Sequence, residues 1–224
     1  MVKTVLIIVA VSYLLGSIPF GYLLVRVFRG VDVRNTGSGN IGATNVARTG
    51  SKRLAIATLL LDALKGYAAV MFAFWLAEKQ RFGTQLSTGL YDRSTVPAIS
   101  SHTVFLLAAL AALVAILGHV FTVWLRFKGG KGVATAAGSF MALAPRAMLL
   151  VIVVFILIVA LTRYVSLGSI VAAAAFPLCV WWLNPAERSS GPILLVIAAS
   201  SLLIIVRHQD NIRRLLAGTE NRFR

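Results

Sequence analysis

Residues 103–125, TVFLLAALAALVAILGHVFTVWL, carry no Lys, Arg, Asp or Glu, and His119 is their one ionisable side chain. As a helix these 23 residues would be about 34 Å long, enough to cross a hydrocarbon core of roughly 30 Å. Hydrocarbon offers no partner for backbone N–H and C=O groups, so such a run must satisfy them internally, as a helix does. Comparable apolar runs lie at 4–25, 54–77, 147–161, 165–183 and 191–206. Hydrophobic residues make up 58% of the 224 and charged residues 13%, about half the share usual in a soluble domain. The first run reads as a span and not as a secretory signal: it is long, holds Pro19 and Gly21, and has no basic residue before it except Lys3. No internal repeat stands out. The chain reads as one all-α integral-membrane domain over residues 1–224.

Three segments break the apolar pattern with dense polar chemistry: Arg34–Arg53, Arg126–Thr135 and Arg207–Glu220. For all three to share one membrane face, the crossings between them must be even in number. The spans at 54–77 and 103–125 meet this for the first pair. Four further stretches, 133–144, 147–161, 165–183 and 191–206, meet it for the second. The first of these, ended by Pro145, is short, reaching about 18 Å as a helix, and is either a tilted half-span or a re-entrant piece. About seven transmembrane helices, one of them short, are therefore expected. On that count fifteen Lys and Arg residues lie on the face of the polar segments. Six lie opposite: Lys3, Lys79, Arg81, Arg93, Arg146 and Arg188. The asymmetry predicts an external N-terminus and a cytoplasmic C-terminus. The net charge of +15 belongs to this flanking pattern, so it points to anionic lipids and solutes and not to nucleic acid. One cysteine, Cys179, rules out a disulfide framework and a cysteine metal cluster.

In the first segment Gly37-Ser38-Gly39-Asn40-Ile41-Gly42 fits G-x-G-x-x-G. A membrane span precedes it where a dinucleotide fold would need a strand, so the cofactor reading fails. Glycines still let N–H groups approach an anion, and a helix starting near Ala43 would aim its positive end there. Thr44 and Asn45 add short polar groups, and Arg48 follows one turn after Thr44. A plain Gly/Asn turn between spans uses the same residues. In the second segment Lys128-Gly129-Gly130-Lys131-Gly132 lacks the earlier glycine and the Ser/Thr of a nucleotide-triphosphate loop, yet two lysines among three glycines make a cationic nest. His119 sits two turns inside the end of its span. Asp62 and Lys65, three residues apart, read first as an ion pair within theirs. Pro19 should bend the first span and free carbonyls nearby. In the third segment His208 and Asn211 lie one turn apart beside Arg207, Arg213 and Arg214.

Taken together and in order, these stretches resemble the bacterial membrane acyl-phosphate:glycerol-3-phosphate acyltransferase family. The resemblance is carried by Gly37 to Asn45, by Gly118-His119-Val120-Phe121 leading to Phe127 through Thr135, and by Arg207 to Leu215. Gly16 to Gly21 and Leu61 to Gly66 are similar too. Ile41 and Thr122 stand where that family often has proline, and the 78–102 loop is longer. The resemblance implies acyl transfer from a fatty acyl-phosphate to glycerol 3-phosphate in a bacterial inner membrane, with the active site facing the cytoplasm and membrane lipids as surroundings. An acyl-phosphate is already activated, so no metal, ATP or coenzyme A is expected. Ser38, Lys128, His208 and Asn211 would be the catalytic residues. Gly37, Gly39, Asn40, Thr44, Asn45, Arg48, His119, Gly129, Gly130, Lys131 and Gly132 would bind or support substrate. The base is either His208 or a substrate phosphate. The acyl chain would lie between spans, where Ala134, Ala136, Ala137 and Gly138 allow close packing. A monomer suffices in principle. The competing class is a transporter of an organic phosphate or another anion, which uses the same broken helices and positive helix ends.

Overall fold

A computed structural model describes residues 1–86, 99–184 and 190–222. Residues 87–98 of the long 78–102 stretch lie outside the described residues, as do Arg93, Arg188 and Arg224 of the charge count, while 78–86 continue α4. Every regular element among the described residues is helical. The α-helices in order are α1 (Val2–Ser17), α2 (Phe20–Arg29), α3 (Ala43–Arg48), α4 (Lys52–Leu86), α5 (Ser101–Val120), α6 (Val133–Leu143), α7 (Pro145–Thr162), α8 (Val165–Leu183), α9 (Gly191–Val206) and α10 (Gln209–Leu216), with short 3-10 turns at Val33–Asn35 and Val123–Leu125.

Five stretches are long and apolar enough to cross a membrane: Val2–Arg29, Lys52–Arg81, Ser101–Leu125, Pro145–Thr162 and Val165–Leu183. Gly191–Val206 and Gln209–Leu216, bent by 56° from each other, are long and apolar enough only when taken together, which makes a sixth stretch. Val133–Leu143 is the short apolar helix. Its 11 residues rise about 16 Å, and Pro145 opens α7 directly after it.

Close backbone contact holds the bundle together. A Cβ on Gly16 of α1 would overlap the Ala115 carbonyl of α5, and one on Gly118 would lie 2.5 Å from the Tyr13 carbonyl. The same holds between α4 and α6, where Gly66 meets Thr135 and Gly138 meets Ala63. Small residues let these pairs pack with little side chain between them, which is how helices associate in lipid. The main apolar core lies between α5, α6, α8 and α9, around Ile116, Phe140, Phe176 and Ile197.

The first span breaks at Ile18–Pro19, as its proline predicts. Proline supplies no N–H and crowds the preceding turn. The freed Ile18 carbonyl accepts a hydrogen bond from Lys65 Nζ at 2.6 Å. Lys65 also pairs with Asp62 at 2.7 Å, both side chains buried. One buried lysine thus ties the helix break to α4.

Candidate active site

The loop after α2 is organised from within by Asn45. Its side-chain amide donates to the carbonyls of Val33, Thr36 and Asn40 at 2.8–3.0 Å, and its Oδ1 accepts from Ser38 N at 2.8 Å. Asn45 is buried and its amide N–H groups are engaged within the loop. It therefore holds the loop. Gly37 and Gly39 take left-handed backbone angles, φ +54° and +69°, that side chains resist. A Cβ on Gly37 would come within 3.0 Å of Arg48 Cδ, so Arg48 folds back over the loop. Helix α3 does begin at Ala43 behind Gly42, but it is six residues long, so its dipole is small. Ser38, Thr44 and Arg48 are exposed.

The second segment turns back onto the end of α5. Arg126 and Phe127 are consecutive non-glycine residues in the left-handed region, at φ +54° and +61°. Such positions each cost of order 1–3 kcal/mol and persist where surrounding bonds dictate them. Here Phe127 N donates to the Thr122 carbonyl at 2.9 Å. Buried Thr122 in turn donates to the Ser17 carbonyl at 2.5 Å, beside the helix break. Gly129 N donates to Val120 O at 3.1 Å and Gly130 N to His119 O at 3.0 Å. These two N–H groups donate to carbonyls of α5. Their lack of a side chain matters more. A Cβ on Gly129 would overlap the His119 carbonyl, and one on Gly130 would overlap the His119 ring. His119 is buried under this turn, its Nδ1 3.6 Å from Asp62 Oδ1. It supports the loop from below. Lys128 is exposed, Lys131 half-buried, and Gly132, at φ +86°, caps α6.

The third segment begins beyond the last span, at the bend after Val206. His208 is buried there, and its Nδ1 lies 2.8 Å from the Ile204 carbonyl. A carbonyl can only accept, so Nδ1 carries the proton and Nε2 is a bare acceptor. Burial is the largest cause that pushes the imidazole down to about 4, with the Ile204 bond opposing and nearby Lys131 adding to the shift. One turn on, Asn211 Oδ1 accepts a hydrogen bond from Lys131 Nζ. Asn211 Nδ2 donates to Glu220 Oε1 at 2.6 Å, where Ser166 of α8 also donates at 2.8 Å. Arg214 Nε donates to Glu220 Oε2 at 2.7 Å. Burial, then the charge of Arg214, lowers the Lys131 ammonium below the usual lysine range, and Arg48 is near enough to contribute.

The three polar segments therefore meet at one end of the bundle. Lys131 touches Asn211 and senses Arg48, while Val33, Ile41, Val46 and Leu125 share a buried cluster beneath them. Glu220 went unrecognised in the sequence. Its one signal was an acid, among seven in the chain, standing at the end of a basic stretch. Immediately below Gly132 opens a cavity of about 310 Å³ with apolar walls from α6, α7 and α8, and Ile204 at its edge. Among the described residues no three His, Cys, Asp or Glu side chains come together as a metal site.

A sequence profile described as "Glycerol-3-phosphate acyltransferase" matches residues 6–218. The glycerol-3-phosphate acyltransferase of Geobacter sulfurreducens is 47% identical over 219 residues, which are 98% of this chain and 97% of that protein. Among solved structures, PlsY (YgiH), an integral membrane glycerol 3-phosphate acyltransferase, in its glycerol 3-phosphate form is 37% identical with a TM-score of 0.80. The match covers 98% of this chain and 96% of PlsY. The lysophosphatidic acid form of PlsY gives 36% identity and a TM-score of 0.77, over 98% of this chain and 95% of PlsY.

Proposed function

This chain belongs to the glycerol-3-phosphate acyltransferase family, and from that premise we propose that it moves a fatty acyl group from acyl-phosphate to the sn-1 hydroxyl of glycerol 3-phosphate. The products are 1-acyl-glycerol 3-phosphate (lysophosphatidic acid) and inorganic phosphate. The observation that carries the reading is the meeting of Lys131, Asn211 and His208 with the loops of Ser38, Arg48 and Lys128 over an apolar cavity. A phosphate-handling surface above a greasy slot suits an amphiphilic donor and a small polar acceptor.

In the reaction the glycerol hydroxyl oxygen bonds to the acyl carbon, and the bond from that carbon to the phosphate oxygen breaks. Negative charge builds on the former carbonyl oxygen and on the leaving phosphate. Lys128, Lys131 and Arg48 supply the opposing charge, with the Ser38 hydroxyl as a neutral donor, and Lys131, held by Asn211, needs little reorganisation as charge develops. Asn211 holds Lys131 in place, itself aligned by Glu220. His208 Nε2 accepts the glycerol hydroxyl's proton in a hydrogen bond and so orients it. An imidazole held near 4 is a poorer proton acceptor than a phosphate monoester, whose second pKa is about 6. We therefore assign the proton to a substrate phosphate, with His208 as the orienting acceptor.

The polar segments are taken to face the bacterial cytoplasm, with the N-terminus outside and seven segments counting α6. The fifteen-to-six distribution of basic residues supports this orientation. The acyl tail is assigned to the cavity, whose lining includes the lipid-facing residues Leu59 and Ile156 and so gives a lateral way in. The test is purified protein in detergent with glycerol 3-phosphate and palmitoyl-phosphate. Wild type should form lysophosphatidic acid, and Lys128→Ala should lose most of that rate while keeping the wild-type elution profile. A Lys128→Ala protein as active as wild type would remove Lys128 from the machinery.

A further inference from the structure

The cavity has a direction. At one end lie Val133, which follows Gly132, and Ile204, whose carbonyl holds His208. Ser169 joins them, one turn along α8 from Ser166, which binds Glu220. This end adjoins the polar site. Seven residues further along α6 stands Phe140, and seven residues further along α8 stands Phe176. At 1.5 Å per residue both lie about 10 Å deeper. Their rings are nearly parallel, 8° apart in plane, with centroids 3.9 Å from each other. Phe140 is 3% exposed and Phe176 fully buried. Two rings from facing helices are thus pressed together across the deep end of the cavity.

We propose that the Phe140–Phe176 pair is the floor of the acyl slot and sets which acyl-chain lengths the enzyme prefers. The proposal rests on the acyltransferase reading and adds to it the residues that measure the chain. An extended hydrocarbon advances about 1.3 Å per carbon, given C–C bonds of about 1.5 Å. Ten ångströms from Val133 to the rings therefore takes about eight methylenes. Carbons beyond them meet the stacked faces, and the rings must part to admit them. Parting the rings gives up the attraction of a stacked aromatic pair. It also works against the buried core around them, which includes Ala136, Leu143, Ala173 and Val180. Short chains leave the floor undisturbed, and long chains push against it.

The test is the ratio of kcat/KM for hexadecanoyl-phosphate to that for decanoyl-phosphate, measured with saturating glycerol 3-phosphate in one detergent. Phe140→Ala and Phe176→Ala should each raise this ratio by about five-fold or more, and Phe140→Trp should lower it. Phe140→Leu, a milder change that guards against a collapsed variant, should raise it by a smaller factor. Ile156→Ala, eight residues along α7 from deep-lying Met148 and therefore near the opposite end, should move the ratio less than two-fold. A ratio that stays within two-fold of wild type in Phe140→Ala, Phe140→Leu and Phe176→Ala, all still turning over, would overturn the floor assignment and leave the acyltransferase reading intact. Failure of wild type to turn over any acyl-phosphate would overturn both.

Discussion

Replacing Gly130 by alanine tests whether the lysine loop is held by what lies beneath it. A Cβ there would overlap His119 Nε2 and come within 2.9 Å of both Cδ2 and Cε1. Carbon atoms pack at about 3.5–4.0 Å, so the ring or the loop must give by roughly 0.6–1 Å, and more at Nε2. The ring has little room, since it is buried and its other nitrogen faces Asp62. Overpacking of this kind costs about 1–3 kcal/mol. If the loop yields, Lys128 and Lys131 move with it, and a shift near 1 Å at a positioning group can cost about 10²-fold in rate. Gly130→Ala should therefore lose about 10²-fold in kcat/KM in the detergent assay, with a lowered Tm. Removing the ring should relieve the clash. The double variant Gly130→Ala/His119→Ala should be more active than the two single losses multiplied together, by at least about 1 kcal/mol of coupling, within the range for contacting residues. Strictly multiplicative losses, or a Gly130→Ala protein within three-fold of wild type, would refute the contact argument.

Lys65→Met removes the partner of Asp62 and the donor to the Ile18 carbonyl, and breaking a buried pair from one side costs about 3–5 kcal/mol. Thermal unfolding should show it, and Lys65→Met/Asp62→Asn should recover part of the loss. Glu220→Gln weakens bonds to Asn211, Ser166 and Arg214, of which the charge-assisted contact to Arg214 is in the range of about 1.5–3 kcal/mol. Its carboxylate is held below the ordinary range, against burial, chiefly by the Asn211 and Ser166 hydrogen bonds. Its stabilisation is therefore present above 4.5 and lost as pH falls through the folded value. His208 is depressed from 6.5 to about 4, so the folded state favours neutral imidazole, and this contribution is full above 6.5 and lost between 6.5 and about 4. The difference amounts to about 3 kcal/mol at roughly 1.4 per pH unit. Tm in detergent should fall over that window, and His208→Gln should flatten the fall. The same variant should lose less than about 10²-fold in kcat if His208 orients the hydroxyl, and more if it takes the proton.

The spans were legible because hydrocarbon imposes an unbroken apolar run, and Pro19 and Pro145 mark helix ends for steric reasons any sequence displays. Asp62 and Lys65 were legible as a pair because three residues place them on one helical face. The meeting of the three polar segments could be argued from crossing parity, and the Lys131–Asn211 hydrogen bond joins the second of them to the third. Hydrogen bonds between distant residues leave no such pattern. Asn45 looked like one more polar residue near a glycine loop, although it ties three carbonyls and the Ser38 N–H together. The close approach of Gly129 and Gly130 to His119 leaves no mark of its own, because a glycine needed for close approach to another helix reads the same as one needed for a ligand. The left-handed Arg126–Phe127 pair and the anchoring of Asn211 by Glu220 depend on tertiary bonds that no local propensity signals.

The most direct test of the central claim follows both products at once. Purified protein is given glycerol 3-phosphate and palmitoyl-phosphate, and inorganic phosphate and lysophosphatidic acid are counted in the same samples. The account predicts equal amounts of the two, with both lost together in Lys131→Met and Asn211→Ala. Phosphate release without lysophosphatidic acid, or uptake of glycerol 3-phosphate into vesicles with neither product formed, would contradict it.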